Sequence, residues 1–244
     1  MKKTHAAITG QGSALTKYQD VMVGSRSWLA LFYYEFCMWL APVPGALGMV
    51  LRKIFWPRMF GSCGPGCMFA GGVVVRQPCR IHLGQGVVIS EGCILDGRHS
   101  EAEESIMVGD NVIFSNDVML SCKNGTIAIG ADTGVNAQTI IQSTSGCPVS
   151  IGRDCIIGQR CLIIAGGSYN MERLDIPIRE QGIRPDGGIV LEDNVWLGGN
   201  VTVLGGVTMA SGSVAGAGAV ISRDTQADSL NLGVPAKMVR LRSE

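Results

Sequence analysis

The sequence is poor in histidine and in charge. Its three histidines, His5, His82 and His99, stand far apart in the 244 residues, without the clustering by which a metal is held, so the pattern points to no metal site. Charged residues are 16% of the chain, and 20 Lys and Arg balance 20 Asp and Glu. With no net field to draw a polyanion, nucleic acid is not an expected partner. The nine cysteines form an odd set, and the close pair Cys63 and Cys67 has no second pair at zinc-ligand spacing. Cys93, Cys155 and Cys161 stand where Val or Ala would serve as well, as small buried thiols do in a reducing compartment. The opening MKKTHAAITGQGSALT has no apolar core behind its lysines, so it does not read as a secretory signal.

Glycine and aliphatic residues are abundant: 34 glycines accompany a hydrophobic fraction of 46%, which favours a folded, turn-rich body over low complexity. From Phe69 onward an aliphatic residue recurs every six positions, usually followed by Gly or a small polar residue, with a small or branched residue four places on. The clearest blocks are LGQGVV at 83, ISEGCI at 89, VGDNVI at 108, FSNDVM at 114, IGRDCI at 151, LEDNVW at 191, LGGNVT at 197 and AGAGAV at 215. A period of six is neither helical nor simple alternation. It predicts a parallel β-helix of short strands and tight corners, with the first residue of each block inward and Gly, Asn or Asp tolerating the turn backbone.

Three blocks make a coil. Positions 83, 89 and 95 form one, followed by 108, 114 and 120, then 129, 135 and 141, then 151, 157 and 163, then 191, 197 and 203, then 209, 215 and 221. Every insertion follows a third block, so loops at 96–107, 121–128, 142–150 and 165–190 are expected along one corner, with coils about 4.8 Å apart.

This pattern, with the run NVWLGGNVTVLGGVTMASGSVAGAGAVISRD and the following GVPAKMVR, resembles the hexapeptide-repeat acyltransferases. The similarity is nearest to the maltose, galactoside and xenobiotic acetyltransferase group and its polysaccharide-biosynthesis relatives, which share segments like PGALGMVLRK and DIPIREQG. It spans roughly residues 66 to 242 and implies a mainly β fold: a left-handed parallel β-helix over 66–244 behind an N-terminal helical segment at 1–65, with a long loop extruded at 165–188. It further implies a homotrimer and acetyl-CoA as donor, with no metal, the CoA lying between adjacent β-helices. The expected reaction is O-acetylation of a sugar of cell-surface polysaccharide or glycolipid assembly.

In that family a histidine of the long loop is the base, just ahead of a segment like DIPI. Here Tyr169 stands in its place, between Ser168 and Asn170. An ordinary phenol is only about 0.1% ionised at pH 7, which leaves three readings open: Tyr169 and Asn170 position the acceptor or the oxyanion, the acceptor is an amine, or the chain is a non-catalytic binding scaffold. His99 is a remoter candidate base, three coils earlier on the same corner, with a solvated loop residue as the competing reading. Gln138 matches an amide near the acceptor in galactoside-acetyltransferase-like proteins. Trp196 matches a residue packed on the pantetheine arm. Gly199, Ala217 and Ser222 fall along the CoA path, and Lys237 and Arg240 match basic positions near the nucleotide phosphates. Turn, packing and solvated-tail roles compete with each of these.

Residues 28 to 51, WLALFYYEFCMWLAPVPGALGMVL, carry one charge, Glu35. Pro42, Pro44, Gly45 and Gly48 break any single spanning helix. Two short helices follow, which lie in a membrane interface, cap the open end of the β-helix, or do both. Arg26, Arg52, Lys53 and Arg58 flank them. A cytoplasmic protein is expected, peripheral or monotopic at the inner face of the cytoplasmic membrane in the first case.

Overall fold

The computed structural model describes residues 13–244, so His5 lies outside the described residues. From Ser62 to Ile221 the chain winds through seven coils, each giving one short strand to each of three parallel sheets. The expected register holds in every coil. On the first face Cys63, Leu83, Val108, Ile129, Ile151, Leu191 and Met209 pair in succession. The second face stacks Phe69, Ile89, Phe114, Val135, Ile157, Leu197 and Ala215. The third stacks Val75, Leu95, Leu120, Ile141, Ile163, Val203 and Ile221. All but Cys63 are buried, and each large aliphatic side chain taken from water contributes about 1.5–3 kcal/mol.

The block's chemistry explains the coil. Its fourth residue turns the corner with positive φ, as at Gly86, Gly92, Asn111, Asp117, Asp132, Asn194, Asn200 and Gly218, where Gly and Asx are least strained. The fifth residue points back inside, so Val87, Cys93, Val112, Val118, Cys155 and Cys161 are buried. Burial pushes the Cys93 thiol up to about 11 and that of Cys122 to about 12, which suits unreactive packing.

Every insertion leaves between the third and first faces, at 77–80, 97–105, 124–126, 145–148 and 166–188. Two of these loops are shorter than the spacing predicts. The third-face strands Met119–Lys123 and Ile140–Thr144 run on past the corner, because successive coils supply ladder partners there, Ser121 to Gln142 to Ile164.

Among the described residues, three α-helices lie ahead of the coils, α1 (Ala14–Tyr18), α2 (Trp28–Trp39) and α3 (Gly45–Phe55), with a π-helical turn at Gln19–Val23. The proline-containing break between α2 and α3 makes the hairpin expected. Its inner side closes the first coil: Trp56 is fully buried with its ring 5.4 Å from that of Phe69, and the Tyr34 hydroxyl donates to the Val75 carbonyl at 2.7 Å. Arg52 is not a flanking surface cation. Only 2% exposed, it donates to the carbonyls of Leu40, Ala41, Val43 and Phe69, satisfying chain ends that no helix pairs. At the far end Ser229–Leu232 extends the second sheet and Lys237–Leu241 folds back antiparallel to it.

Candidate active site

The long segment 166–188 is an arm with a pinched neck. Asp186 ties its root by accepting from the Gly166 and Gly188 amides at 2.7 and 3.0 Å. Further out Tyr169 bridges Ile183, with Asn170 N donating to Gly182 O at 3.1 Å and Arg184 N to Ser168 O at 2.9 Å. The Asn170 side chain adds a bond to Gln181 O at 3.1 Å. Gln181 in turn shapes the tip, donating to the Arg173 and Ile176 carbonyls and accepting from Arg173 N. Arg173 pairs with Asp175 there and holds its carboxyl below the usual range. Tyr169 is therefore set by backbone on both sides at the neck. The tip carries exposed apolar residues, Leu174 being 98% exposed beside Met171 and Ile178.

His99 lies on the same corner, in the loop leaving the second coil. Its Nδ1 accepts the Glu101 and Ala102 amides at 3.0 and 2.8 Å. Burial, then the neighbouring Arg80, lowers its pKa. A neutral ring with Nδ1 so occupied carries its proton on Nε2, which makes His99 a donor and a loop-shaping group rather than a base. His82 points outward from the first face, 3.0 Å from Ser62 Oγ, as the repeat predicts.

Gln138 stands on a different corner, between the second and third faces, with φ of 62°. Its Oε1 accepts from Arg160 Nε at 2.9 Å, and Arg160 occupies the same corner slot one coil on with φ of 58°. Sequence reasoning passed over Arg160. The available signal was a long side chain in a slot that, Gln138 aside, is filled by Gly, Asn or Asp.

Trp196 projects outward from the second face and is 53% exposed, in ladder register with Ile156 before it and Val214, Leu230 and Arg240 after it. Gly199 and Ala217 lie on the Gln138 corner in successive coils, and a Cβ on Gly199 would come within 2.9 Å of Gln159 Nε2. Lys237 and Arg240 are exposed on the final antiparallel strand. Ser222 follows the last third-face strand, on the corner of the arm. Within one chain the candidates thus form two groups: Tyr169, Asn170, His99 and Ser222 on the arm's corner, and Gln138, Gly199, Ala217, Trp196, Lys237 and Arg240 on or beside the second face. Among the described residues no group of three or more His, Cys, Asp and Glu is arranged to hold a metal.

No protein-family model matches the chain, and no curated protein does. Solved structures do. The chain is 30% identical to a hexapeptide-repeat-containing acetyltransferase of Vibrio cholerae O1 biovar eltor, complexed with acetyl coenzyme A, over 56% of this chain and 70% of that one, with a TM-score of 0.48. The polysialic acid O-acetyltransferase OatWY shares the fold with a TM-score of 0.57 at 20% identity, over 73% of this chain and 84% of that one. So does a mutant of AntD, an N-acyltransferase from Bacillus cereus in complex with dTDP-4-amino-4,6-dideoxyglucose and coenzyme A, with a TM-score of 0.51 at 18% identity over 79% and 87%.

Proposed function

Because the chain belongs to the hexapeptide-repeat acetyltransferases, we propose that it moves an acetyl group from acetyl-CoA to a sugar hydroxyl of cell-surface polysaccharide or glycolipid assembly. The observation that carries this reading is the 30% identity, over 70% of its length, to an acetyltransferase complexed with acetyl coenzyme A. The acceptor oxygen attacks the thioester carbonyl, the carbon–sulfur bond breaks, and the hydroxyl proton leaves to water or a base as the CoA thiolate departs. Tyr169 stabilises the oxyanion or positions the acceptor through its hydroxyl, with Asn170 keeping the neck closed. Trp196, Gly199, Ala217 and Ser222 line the CoA arm, and Lys237 and Arg240 meet its phosphates.

The working unit is a homotrimer. Two observations favour it: the candidate groups lie on separate corners of one chain, and the apolar arm tip, with Leu174 98% exposed, has the character of a segment that rests on another surface. In a trimer the arm overhangs the neighbour's second face and completes the site with Gln138. The helical segment through residue 65 docks this body, 66–244, at the inner face of the cytoplasmic membrane, where lipid-linked sugars are assembled.

The arm's lack of histidine favours keeping two other outcomes in the same experiment. CoA release from acetyl-CoA is followed with sugar hydroxyl acceptors and with amino sugars. Release with the former and a fall of about 100-fold in kcat/KM for Tyr169→Phe, the worth of one oxyanion donor at the low end, supports O-transfer. Release only with amino sugars indicates N-transfer. CoA binding without release, restored by Tyr169→His, marks a scaffold that has lost its base.

A further inference from the structure

A cavity of about 300 Å³ opens where the Gln19–Gly24 segment meets the loops leaving the first three coils, lined by Gln77, Arg80, Arg98, His99, Lys123 and Asn124 among others. Gln77 builds it. Held at φ 48° and only 7% exposed, it joins three segments: its amide donates to Met22 O and its Nε2 to Asp20 O, both at 2.7 Å, while its Oε1 accepts from His99 N at 3.2 Å. A left-handed glutamine is retained where surrounding contacts demand it.

The polar groups left over in this cavity are donors. Asn124 Oδ1 accepts from Ser100 N at 2.8 Å, leaving its NH2. The one lone pair of His99 Nδ1 is shared by two backbone amides, leaving Nε2–H to donate. Arg80 Nε is shielded from solvent and has no acceptor among the described residues. The Lys123 ammonium has one long bond, 3.5 Å, to Gln142 Oε1. Carboxylates do not cancel this. Asp96, 2% exposed, is shared by Arg98 at 2.7 Å and Arg76 at 3.1 Å, and Asp20 is held by Arg26 through two bonds of 2.9 Å. Glu101 is the remaining carboxylate beside His99.

A cationic cavity whose spare groups are chiefly donors, with the Ser100 hydroxyl able to donate as well, is complementary to a small ligand with many acceptors. We propose that it binds a phosphate-type oxyanion, free or as the phosphate of an ester. The site is independent of acyl transfer, since its loops leave the chain about three coils, or roughly 14 Å, before the arm.

The full-length protein is titrated calorimetrically with inorganic phosphate and with pyrophosphate, and its binding to phosphatidylcholine vesicles is measured with and without phosphatidic acid. Each measurement is repeated on Lys123→Met and Arg80→Gln, with circular dichroism as the folding check. A loss of pyrophosphate or phosphate affinity of tenfold or more in Lys123→Met supports a soluble source. The same loss confined to phosphatidic acid supports a lipid headgroup. Should both folded variants bind every probe as the parent does, or the parent bind none, the proposal is overturned. If Arg80→Gln does not fold, Lys123→Met alone decides.

Discussion

His99 shows how a residue's partners select its chemistry. Two backbone amides occupy Nδ1, and burial and Arg80 act against a second proton, with Glu101 acting the other way and Arg98, Lys123 and Asp20 lining the same cavity. The folded-state pKa is therefore below the ordinary value near 6.5, so the unfolded chain binds the proton more readily. Stability from this residue is complete above that value and is lost as pH falls from it toward the folded pKa. Melting temperature followed from pH 7 to 5 is expected to drop, and His99→Asn, whose amide oxygen still accepts, should flatten that drop. The carboxylates of Asp20 and Asp175, with lowered pKa values, lose their contribution only at more acid pH. The Gln138 corner works by a hydrogen bond instead. Two side chains in left-handed backbone hold each other, and the amide is left with its NH2 for an acceptor.

At the scale of elements, helices α2 and α3 have two unlike sides. Inward, Leu31, Tyr34, Cys37, Gly48 and Arg52, with Trp56 just past the end of α3, close the first coil. Outward, Trp28, Leu29, Phe32, Trp39, Leu47, Val50 and Ile54 are all exposed, Leu29 by 83%, beside the exposed cations Lys53 and Arg58. No helix among the described residues is long and apolar enough to cross a membrane. A surface with tryptophans, aliphatics and cations at its edge suits the interfacial zone of a bilayer. The chain should sediment with phosphatidylglycerol vesicles, and Leu29→Glu with Phe32→Glu should weaken that at least tenfold without lowering the melting temperature, since neither side chain packs on the coil. Unchanged sedimentation would assign this face to another role. The cap and the exposed face coexist in the same two helices.

At the scale of the molecule, the second face presents an outward ladder that includes Met68, Ile113, Ile156 and Trp196, all exposed. An apolar stripe of this extent is seldom left in water, and a symmetric assembly would cover it. Sedimentation equilibrium should return about three times the 25.8 kDa chain mass. Ile156→Asp, which places a charge in the stripe and leaves the core untouched, should shift the protein toward monomer and lower acetyl transfer with it. A monomeric parent would remove the trimer and, with it, the completion of the site by a neighbour.

The repeat was legible because its cause is local. An inward aliphatic residue, a left-handed corner and a small fifth residue recur within six positions, so each block specifies its own turn and face, from LGQGVV to AGAGAV, and the insertions fall on one corner by arithmetic. The candidate site was legible only as a set of residue types. That Arg98 and Arg76 share Asp96, that Arg160 takes Gln138 across 22 positions, that Arg52 turns inward, and that Tyr169 and Trp196 stand on different sides of the chain depend on which residues the coils stack. Stacking is set by the summed lengths of the insertions and by burial, and neither is carried in any single block.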